Sequence, residues 1–426
     1  MAGSKTRNAG RASARKSTRR TPKKAGRISA LAQSRPAPHF SEEGLARIRA
    51  PDGVFFNPHM RQCRDLSSLW VGTRGKLASA LDAFCASGAR GLRYKMENKN
   101  VGRVTFLDMS GKAMAAAKAN ARLNKIKAAQ AAFVQEDIRR FLLNRSDFDL
   151  IEIDPFGSPG PHLPAVMHAG YNLNERYLSI TATDMAVLCG AHAAACWKNY
   201  GAKPMDNEFC HENALRILLG KVARAAAEEN WAIEPQFCYS HRHYLKLLLK
   251  LTKGAERAVE CAKQSMCYAV HCPKCLYHAM HATARMAARG AGGPGTEGAA
   301  PHPHGFPPSA CPECGERLNW AGPMWGGPWA DGKTMREMMD ELKKRPYLER
   351  TELDDLLKTI LDELPGPALY YDLHELASRH KMRIPRTEGV LAALRKSGFF
   401  ASRTHFSPTA IRTDAPLEEI VALLAK

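Results

Sequence analysis

The sequence lacks several features that define common classes of protein. No uncharged apolar stretch is long enough to span a membrane, because Pro, Gly or Asp184 interrupts each candidate. A signal-peptide core is absent as well. The fingerprint GxGxxG, which binds nucleotide diphosphates, is also missing, and this disfavours NAD and FAD as cofactors. We therefore expect no membrane partner, and any cofactor should lack a diphosphate.

Acidic residues are absent from the first 40 residues, which contain eleven Lys and Arg. The whole chain carries a formal net charge of +20, and the remainder is still basic without this segment. Such a balance favours a polyanionic partner. We expect residues 1–40 to form a disordered tail that raises nonspecific affinity for RNA. A transit peptide is the alternative, so the expected location is cytoplasmic, with nuclear or organellar targeting by the tail as a second reading.

Paired cysteines are few: eight of the twelve stand alone, as buried thiols of a reducing compartment do. The other four form two CxxC pairs, Cys272 with Cys275 and Cys311 with Cys314. Two such pairs suit a tetrahedral zinc ion, although the 35 residues between them exceed the usual spacing. Because four cysteines fill every position, the expected zinc is structural. A redox role for the pairs is the alternative.

Strand-like and helix-like segments alternate through residues 41–255. This alternation predicts an α/β fold with a mostly parallel sheet covered on both faces. Ligands of such sheets bind beyond the carboxyl ends of the strands. Asp108, Asp137 and Asp154 all lie at predicted strand ends, so we expect three carboxylates along one edge of the sheet.

The stretch CASGARGLR (85–93) predicts a turn of small residues between a strand and a helix. Backbone amides in such a turn can approach a ligand, and Asp108 at the next strand end suits ribose hydroxyls. A glycine-containing turn of this kind is also common without any ligand. With GxGxxG missing, S-adenosylmethionine fits better than a dinucleotide.

A strand that ends in Asp154-Pro155-Phe156 suits methyl transfer to an exocyclic amine. Such a nitrogen is a poor nucleophile, because its lone pair is delocalised into the base. A carboxylate can accept its N–H group, and an aromatic ring can stack on a flipped base. Pro155 keeps the preceding residue extended. A simple strand-ending turn is the alternative. Asp184 in TATDMAVLCG (181–190) follows the next strand, where it can face the substrate or cap a helix.

The C-terminal segment 370–414 predicts a winged helix, with helices at 372–380 and 387–397 before a strand–turn–strand. We expect four of its cations to meet phosphates: Arg395, Lys396, Arg403 and Arg412. A basic helical domain without RNA contacts is the alternative. Residues 281–309 are rich in Gly, Pro, Ala and His and predict a flexible insert.

Taken together, these stretches resemble the tRNA (guanine(26)-N2)-dimethyltransferase family. The similarity covers nearly everything from residue 53 to 416 and is carried by FFNPHMRQCRD (55–65), CASGARGLRY (85–94), FLDMS (106–110), EDI (136–138), DLIEIDPFGSP (149–159), TATDMAVLCG (181–190), EFCHENALRILL (208–219), both CxxC pairs, YYDLHELASRH (370–380) and SRTHFSPTAIRTDAP (402–416).

This resemblance implies a Rossmann-like class I methyltransferase domain at 41–265. It also implies a tRNA-binding, zinc-binding and winged-helix-like α+β domain at 266–426. S-adenosylmethionine is the implied methyl donor, and tRNA is the implied substrate, without an obligate protein partner. Carried over by position, the cofactor contacts are Arg64, Arg90, Asp108, Asp137 and Ile138. Asp154, Pro155 and Phe156 would form the catalytic slot, and Cys272, Cys275, Cys311 and Cys314 would hold the zinc.

Two features depart from the family pattern. Cys63 stands where Asn is usual, which changes a local hydrogen bond, and the insert between the CxxC pairs is long. The expected product is N2,N2-dimethylguanosine at position 26 of tRNA. Two alternatives stay open at this point: methylation of adenine or of a protein amide, and a noncatalytic zinc-ribbon and winged-helix protein that binds nucleic acid.

Overall fold

The computed structural model describes residues 40–145, 147–282 and 307–425. The predicted tail, up to residue 39, and residues 283–306 of the predicted insert lie outside this range. The described chain opens with a short antiparallel hairpin, β1 (Ser41–Glu43) and β2 (Ala46–Ile48), followed by helix α1 (Arg61–Gly72). The buried face of α1 carries Leu66, Leu69 and Trp70 into the main core.

A seven-stranded sheet forms the centre of the larger part of the molecule. Its strands are β3 (Leu77–Ala83), β4 (Val101–Asp108), β5 (Ala131–Gln135), β6 (Leu150–Ile153), β7 (Glu175–Ala182), β8 (Trp231–His241) and β9 (Tyr244–Lys253). The spatial order is β5-β4-β3-β6-β7-β9-β8. The first five of these are parallel, whereas β9 runs antiparallel to both β7 and β8. The strand order therefore reverses between β3 and β6, which is where doubly wound sheets bind ligands.

Helices connect these strands and cover the sheet. They are α2 (Ala89–Glu97), α3 (Gly111–Leu123), α4 (Ile138–Leu143), α5 (Leu163–His168), α6 (Met185–Leu188), α7 (Ala193–Tyr200), α8 (Cys210–Glu228) and α9 (Ala255–Gln264). The strand and helix alternation predicted for residues 41–255 is confirmed, and the fold is α/β. The first sheet strand ends at Ala83, because Phe84 and Ala86 take left-handed backbone angles that no strand allows.

The remaining elements form two small sheets and five helices within residues 265–282 and 307–425. The first sheet contains β10 (Cys267–His271), β11 (His278–Ala282) and β12 (Asn319–Met324). The second contains β13 (Tyr371–Asp372), β14 (Ala401–Arg403) and β15 (Ala410–Thr413). The helices are α10 (Gly332–Lys343), α11 (Arg350–Glu363), α12 (Leu373–Arg379), α13 (Thr387–Lys396) and α14 (Leu417–Leu424). Both helices predicted near 372–380 and 387–397 are present.

A buried ion cluster joins the second small sheet to helix α8. Arg412 on β15 donates to Glu212 of α8 at 2.9 Å and to Glu363 of α11 at 2.9 Å. The other Glu363 oxygen accepts from the His405 backbone at 3.1 Å. Because Arg412 is only 1% exposed, the prediction that it meets a phosphate is wrong. Its charge is compensated inside the protein.

Within the described ranges, no helix is both long enough and apolar enough to cross a membrane.

Candidate active site

The loop after β3 turns sharply at the switch point of the sheet. Phe84 and Ala86 have φ angles of 61° and 45°, and α2 begins three residues later at Ala89. The amide of Ala86 donates to the carboxylate of Asp108 at 3.0 Å. The loop is thereby fixed against the end of the neighbouring strand, and the N-terminus of α2 faces the crevice where anionic or polar ligand groups are favoured.

Asp108 is the last residue of β4, as predicted. One of its oxygens accepts from Ala86, and the other accepts from the amide of Ser110 at 2.9 Å. The residue is half-buried. A carboxylate has about four acceptor positions, so two remain for ligand hydroxyls. These free acceptor positions fit the ribose hydroxyls of a nucleoside cofactor.

Asp137 and Ile138 lie at the same edge, beyond β5. The strand ends at Gln135 rather than at Asp137, because Asp137 is the N-cap of α4 and accepts from the amide of Arg139 at 2.9 Å. The side-chain hydrogen bond from Arg139 lowers the pKa of this carboxyl. Ile138 is buried. The loop therefore presents one ionised acid and one apolar residue near Asp108's strand end.

Arg64 lies in α1 and is buried against the first hairpin. Its Nε donates to Glu43 at 2.5 Å, and its Nη2 donates to the backbone oxygen of Asn57 at 2.9 Å. The ring of Phe56 lies 5.1 Å from the guanidinium. In this arrangement Arg64 fixes the segment 55–57, and the predicted cofactor contact stays a prediction.

Arg90 lies in α2, beneath the end of β6. Its guanidinium donates to Asp154 at 2.6 Å and lies 3.3 Å from the buried Glu152. It also lies 3.6 Å from the sulfur of Cys63. The residue that departs from the family pattern therefore still accepts a hydrogen bond, through sulfur. Arg90 connects α1, α2 and the end of β6, and its predicted contact with a cofactor stays a prediction.

Asp154 directly follows β6, as predicted, and its side chain is 27% exposed. Burial alone would raise the pKa of this carboxyl, but the positive charges of Arg90 and Lys246 outweigh burial and lower it. Below it, Glu152 pairs with Lys246 at 2.6 Å and accepts from Tyr94 at 2.7 Å. Asp154 is therefore held ionised and oriented at the mouth of the crevice.

Phe156 extends into solvent next to this carboxylate. Its ring is 77% exposed and meets the 53% exposed ring of Phe55 edge to face, with centroids 4.7 Å apart. Pro155 is buried, and Gly157 donates to the hydroxyl of Thr183 at 2.8 Å. Two exposed aromatic rings beside an ionised acid form a slot that can hold a flat polar base.

Asp184 follows β7, the strand that pairs with β6 in the sheet. It precedes α6, but its side chain caps no amide of that helix. Both oxygens instead accept from the hydroxyl of Tyr200, at 2.8 and 2.9 Å. Burial raises the pKa of Asp184. The alternative that this acid serves only as a helix cap is therefore wrong.

The two CxxC pairs come together beside the first small sheet. Cys272 and Cys314 have sulfurs 3.5 Å apart, as do Cys275 and Cys311. All four sulfurs lie within 4.8 Å of one another. A tetrahedral zinc with bonds of about 2.3 Å requires sulfurs about 3.8 Å apart. The geometry and the thiol ligands therefore fit zinc.

Sequence reasoning found the acids at the strand ends but missed what surrounds them. The pairing of Arg90 with Asp154, the ring contact of Phe55 and the hydrogen bonds of Tyr200 join residues that are far apart in the chain. Phe55 could have been found, because an aromatic pair in a polar stretch, FFNP, is a signal for an exposed recognition surface.

Comparison with known proteins agrees with this architecture. The structure of Trm1 from Pyrococcus horikoshii with S-adenosyl-L-methionine superposes on this chain with a TM-score of 0.78 and 30% sequence identity. The match covers 91% of this chain and 100% of the Trm1 chain. The tRNA (guanine(26)-N(2))-dimethyltransferase of Methanobrevibacter smithii is 36% identical over 397 residues, covering 90% of this chain and 96% of its own length. The enzyme of that name from Methanothermobacter thermautotrophicus is 34% identical, covering 90% and 97%.

The fold and this likeness define an α/β methyltransferase. The family model described as N2,N2-dimethylguanosine tRNA methyltransferase matches residues 36–425. The chain belongs to that family.

Proposed function

We propose that this chain transfers methyl groups from S-adenosylmethionine to the exocyclic N2 amine of a tRNA guanosine, at position 26, giving N2,N2-dimethylguanosine. The observation that carries the proposal is the slot of Asp154, Pro155 and Phe156. This chain belongs to the family, and its slot lies at the end of β6, beside the switch point of the sheet.

The cofactor would lie across the carboxyl ends of β3, β4 and β5. When bound, S-adenosylmethionine supplies an electrophilic methyl group. Asp108 would accept from its ribose hydroxyls, and Asp137 with Ile138 would contact its adenine side. Arg64 and Arg90 would border the end of the molecule that carries its carboxylate. The half-buried Asp108, with acceptor positions to spare, supports this assignment.

Asp154 would act on the guanine amine. Because Arg90 holds this carboxyl ionised and directed, it can accept an N–H hydrogen bond and turn the nitrogen lone pair toward the methyl carbon. It would also receive the proton that the amine loses when the methyl group passes from the sulfonium, which becomes a neutral thioether, to the nitrogen. Phe156, with Phe55 beside it, would stack on the extruded base, an interaction worth about 1–3 kcal/mol.

The C-terminal part would bind the body of the tRNA. Helices α12 and α13 with strands β13, β14 and β15 support a winged-helix arrangement. Exposed cations cluster here: Arg379, Lys381, Arg383, Arg386, Arg395, Lys396 and Arg403. Phosphate neutralisation by such residues gives an affinity that falls steeply with salt. We also propose that the boundary between the methyltransferase domain and the tRNA-binding domain lies between residues 265 and 266. The proposed site of action is the cytoplasm.

Zinc would be held by Cys272, Cys275, Cys311 and Cys314, with a structural role. The two pairs have matching backbone bonds. In each, the amide of the first cysteine donates to the carbonyl five residues later, Cys272 to Tyr277 and Cys311 to Glu316, both at 2.8 Å. The four cysteines complete a tetrahedral site. Because one pair lies between β10 and β11 and the other lies before β12, the ion would connect these segments.

The test is nucleoside mass spectrometry of a tRNA transcript after incubation with the full chain and S-adenosylmethionine. Wild type is expected to form N2,N2-dimethylguanosine on the transcript with G26 and none on one with A26. Asp154→Ala should lower kcat by about 10²–10⁴-fold. Asp147→Ala, an exposed acid before the same strand, is the matched control. Near-normal turnover by Asp154→Ala would show that the slot has another role.

A further inference from the structure

Cys189, Cys210 and His211 form a second group of potential metal ligands, away from the four paired cysteines. Their ligand atoms all lie within 4.8 Å of one another, and all three residues are half-buried. Neither the methyl-transfer slot nor the CxxC pairs use them. The group comes from two separate elements, because Cys189 follows α6 while Cys210 and His211 begin α8.

Backbone geometry holds these two elements together at that point. Gly190 has a φ of 117°, and a Cβ added there would lie 2.7 Å from the amide nitrogen of Asp206. Only glycine therefore allows the corner after Cys189 to approach the segment that leads into α8. Gly190 therefore permits the close approach that brings the three ligands together.

The start of α8 favours thiolate at Cys210. This residue is the first of a 19-residue helix whose N-cap, Phe209, provides no side-chain hydrogen bond. The helix dipole stabilises negative charge at that end. A thiolate and an imidazole on one turn, facing a second thiol from α6, make a donor set of two sulfurs and one nitrogen.

We propose that Cys189, Cys210 and His211 bind a second zinc ion and leave its fourth position to water. Two sulfurs and one imidazole suit Zn²⁺, whereas Mg²⁺ and Ca²⁺ require oxygen ligands. Zinc bonds of about 2.0–2.3 Å need ligand atoms about 3.5–3.8 Å apart, and the ligand atoms of these three residues already lie within 4.8 Å of one another.

This ion would clamp the substrate edge of the sheet to helix α8, which in turn binds the C-terminal part through Glu212. Cys189 lies five residues after Asp184 at the end of β7, and His211 precedes Glu212, which binds Arg412. The metal would thus fix α6 against α8, and with it the position of Asp184. The role is one of positioning, and no step of methyl transfer depends on it.

Zinc content of the full chain tests the proposal. Protein kept under a phosphine reductant is saturated with zinc chloride, separated from free metal by gel filtration, and analysed by plasma mass spectrometry. Wild type is expected to hold about two zinc ions per chain, one for each cysteine cluster, and Cys189→Ser about one fewer. Cys196→Ser, a nearby buried cysteine outside the group, should keep the wild-type content.

His211→Gln provides an independent variant and should also lose about one zinc per chain. Far-ultraviolet circular dichroism checks that each variant is folded; if Cys189→Ser does not fold, His211→Gln decides the outcome. Equal zinc content in wild type and His211→Gln would overturn the proposal. So would an equal loss from Cys196→Ser, because the metal would then depend on general packing rather than on these ligands.

Discussion

Removing Arg412 should destabilise the packing of the C-terminal part against helix α8. Arg412→Met removes Arg412 from the buried carboxylates of Glu212 and Glu363, which keep only Arg216 and His405 respectively as side-chain ion-pair partners. Although burial raises the pKa of Glu212, Arg412 and Arg216 lower it from 4.5 to about 2. Such a shift corresponds to about 3 kcal/mol of stability at neutral pH. Breaking a buried ion pair typically costs about 3–5 kcal/mol, and the value derived from the pKa shift lies at the lower end of that range.

The sign of the pH dependence follows from the lowered pKa. Glu212 contributes its full stability above the unfolded value near 4.5 and loses it as the pH falls toward 2. The advantage of wild type over Arg412→Met should therefore be largest near neutral pH and should shrink below pH 4.5.

Urea unfolding, followed by tryptophan fluorescence at several pH values, measures this difference. Arg403→Met is the matched control, because Arg403 pairs with Glu388 at the surface and should change stability by no more than about 0.5 kcal/mol. If Arg412→Met is as stable as this control at pH 7, the buried cluster does not stabilise the junction. A difference that persists unchanged at pH 3 would contradict the assignment to carboxylate charge.

Three further perturbations test other parts of the structure. Asp108→Ala should weaken S-adenosylmethionine binding roughly 10- to 100-fold by calorimetry, since hydrogen bonds to a charged group are lost; an unchanged Kd would exclude Asp108 from the cofactor site. Cys275→Ser should lose about one zinc ion per chain by plasma mass spectrometry, and a wild-type content would refute the four-cysteine site. Gly91→Ala should destabilise the fold by about 1–3 kcal/mol, because its Cβ would lie 2.6 Å from the ring of Phe106. Gly75→Ala, with open space around it, should be neutral, and equal stability of these two variants would contradict the packing argument.

Local sequence patterns were sufficient to predict the features that depend on residues close together in the chain. The alternation of strands and helices, the acid-proline-aromatic end of β6 and the two CxxC pairs depend on residues within a few positions of one another. The same holds for the positions of Asp108 and Asp154. Each of these features could be predicted because its physical cause, such as a hydrophobic period or a ligand spacing, lies within one segment.

Tertiary structure decided which charges face solvent and which face each other. Arg412 looks like its exposed neighbours in the sequence, yet β15 is the middle strand of its sheet and turns that side chain toward Glu212 and Glu363. Arg90 reaches Asp154 only because β3 and β6 are adjacent. The grouping of Cys189 with Cys210 and His211 likewise depends on how α6 packs on α8. Contacts between distant segments follow from strand order and helix packing, and no local spacing encodes them.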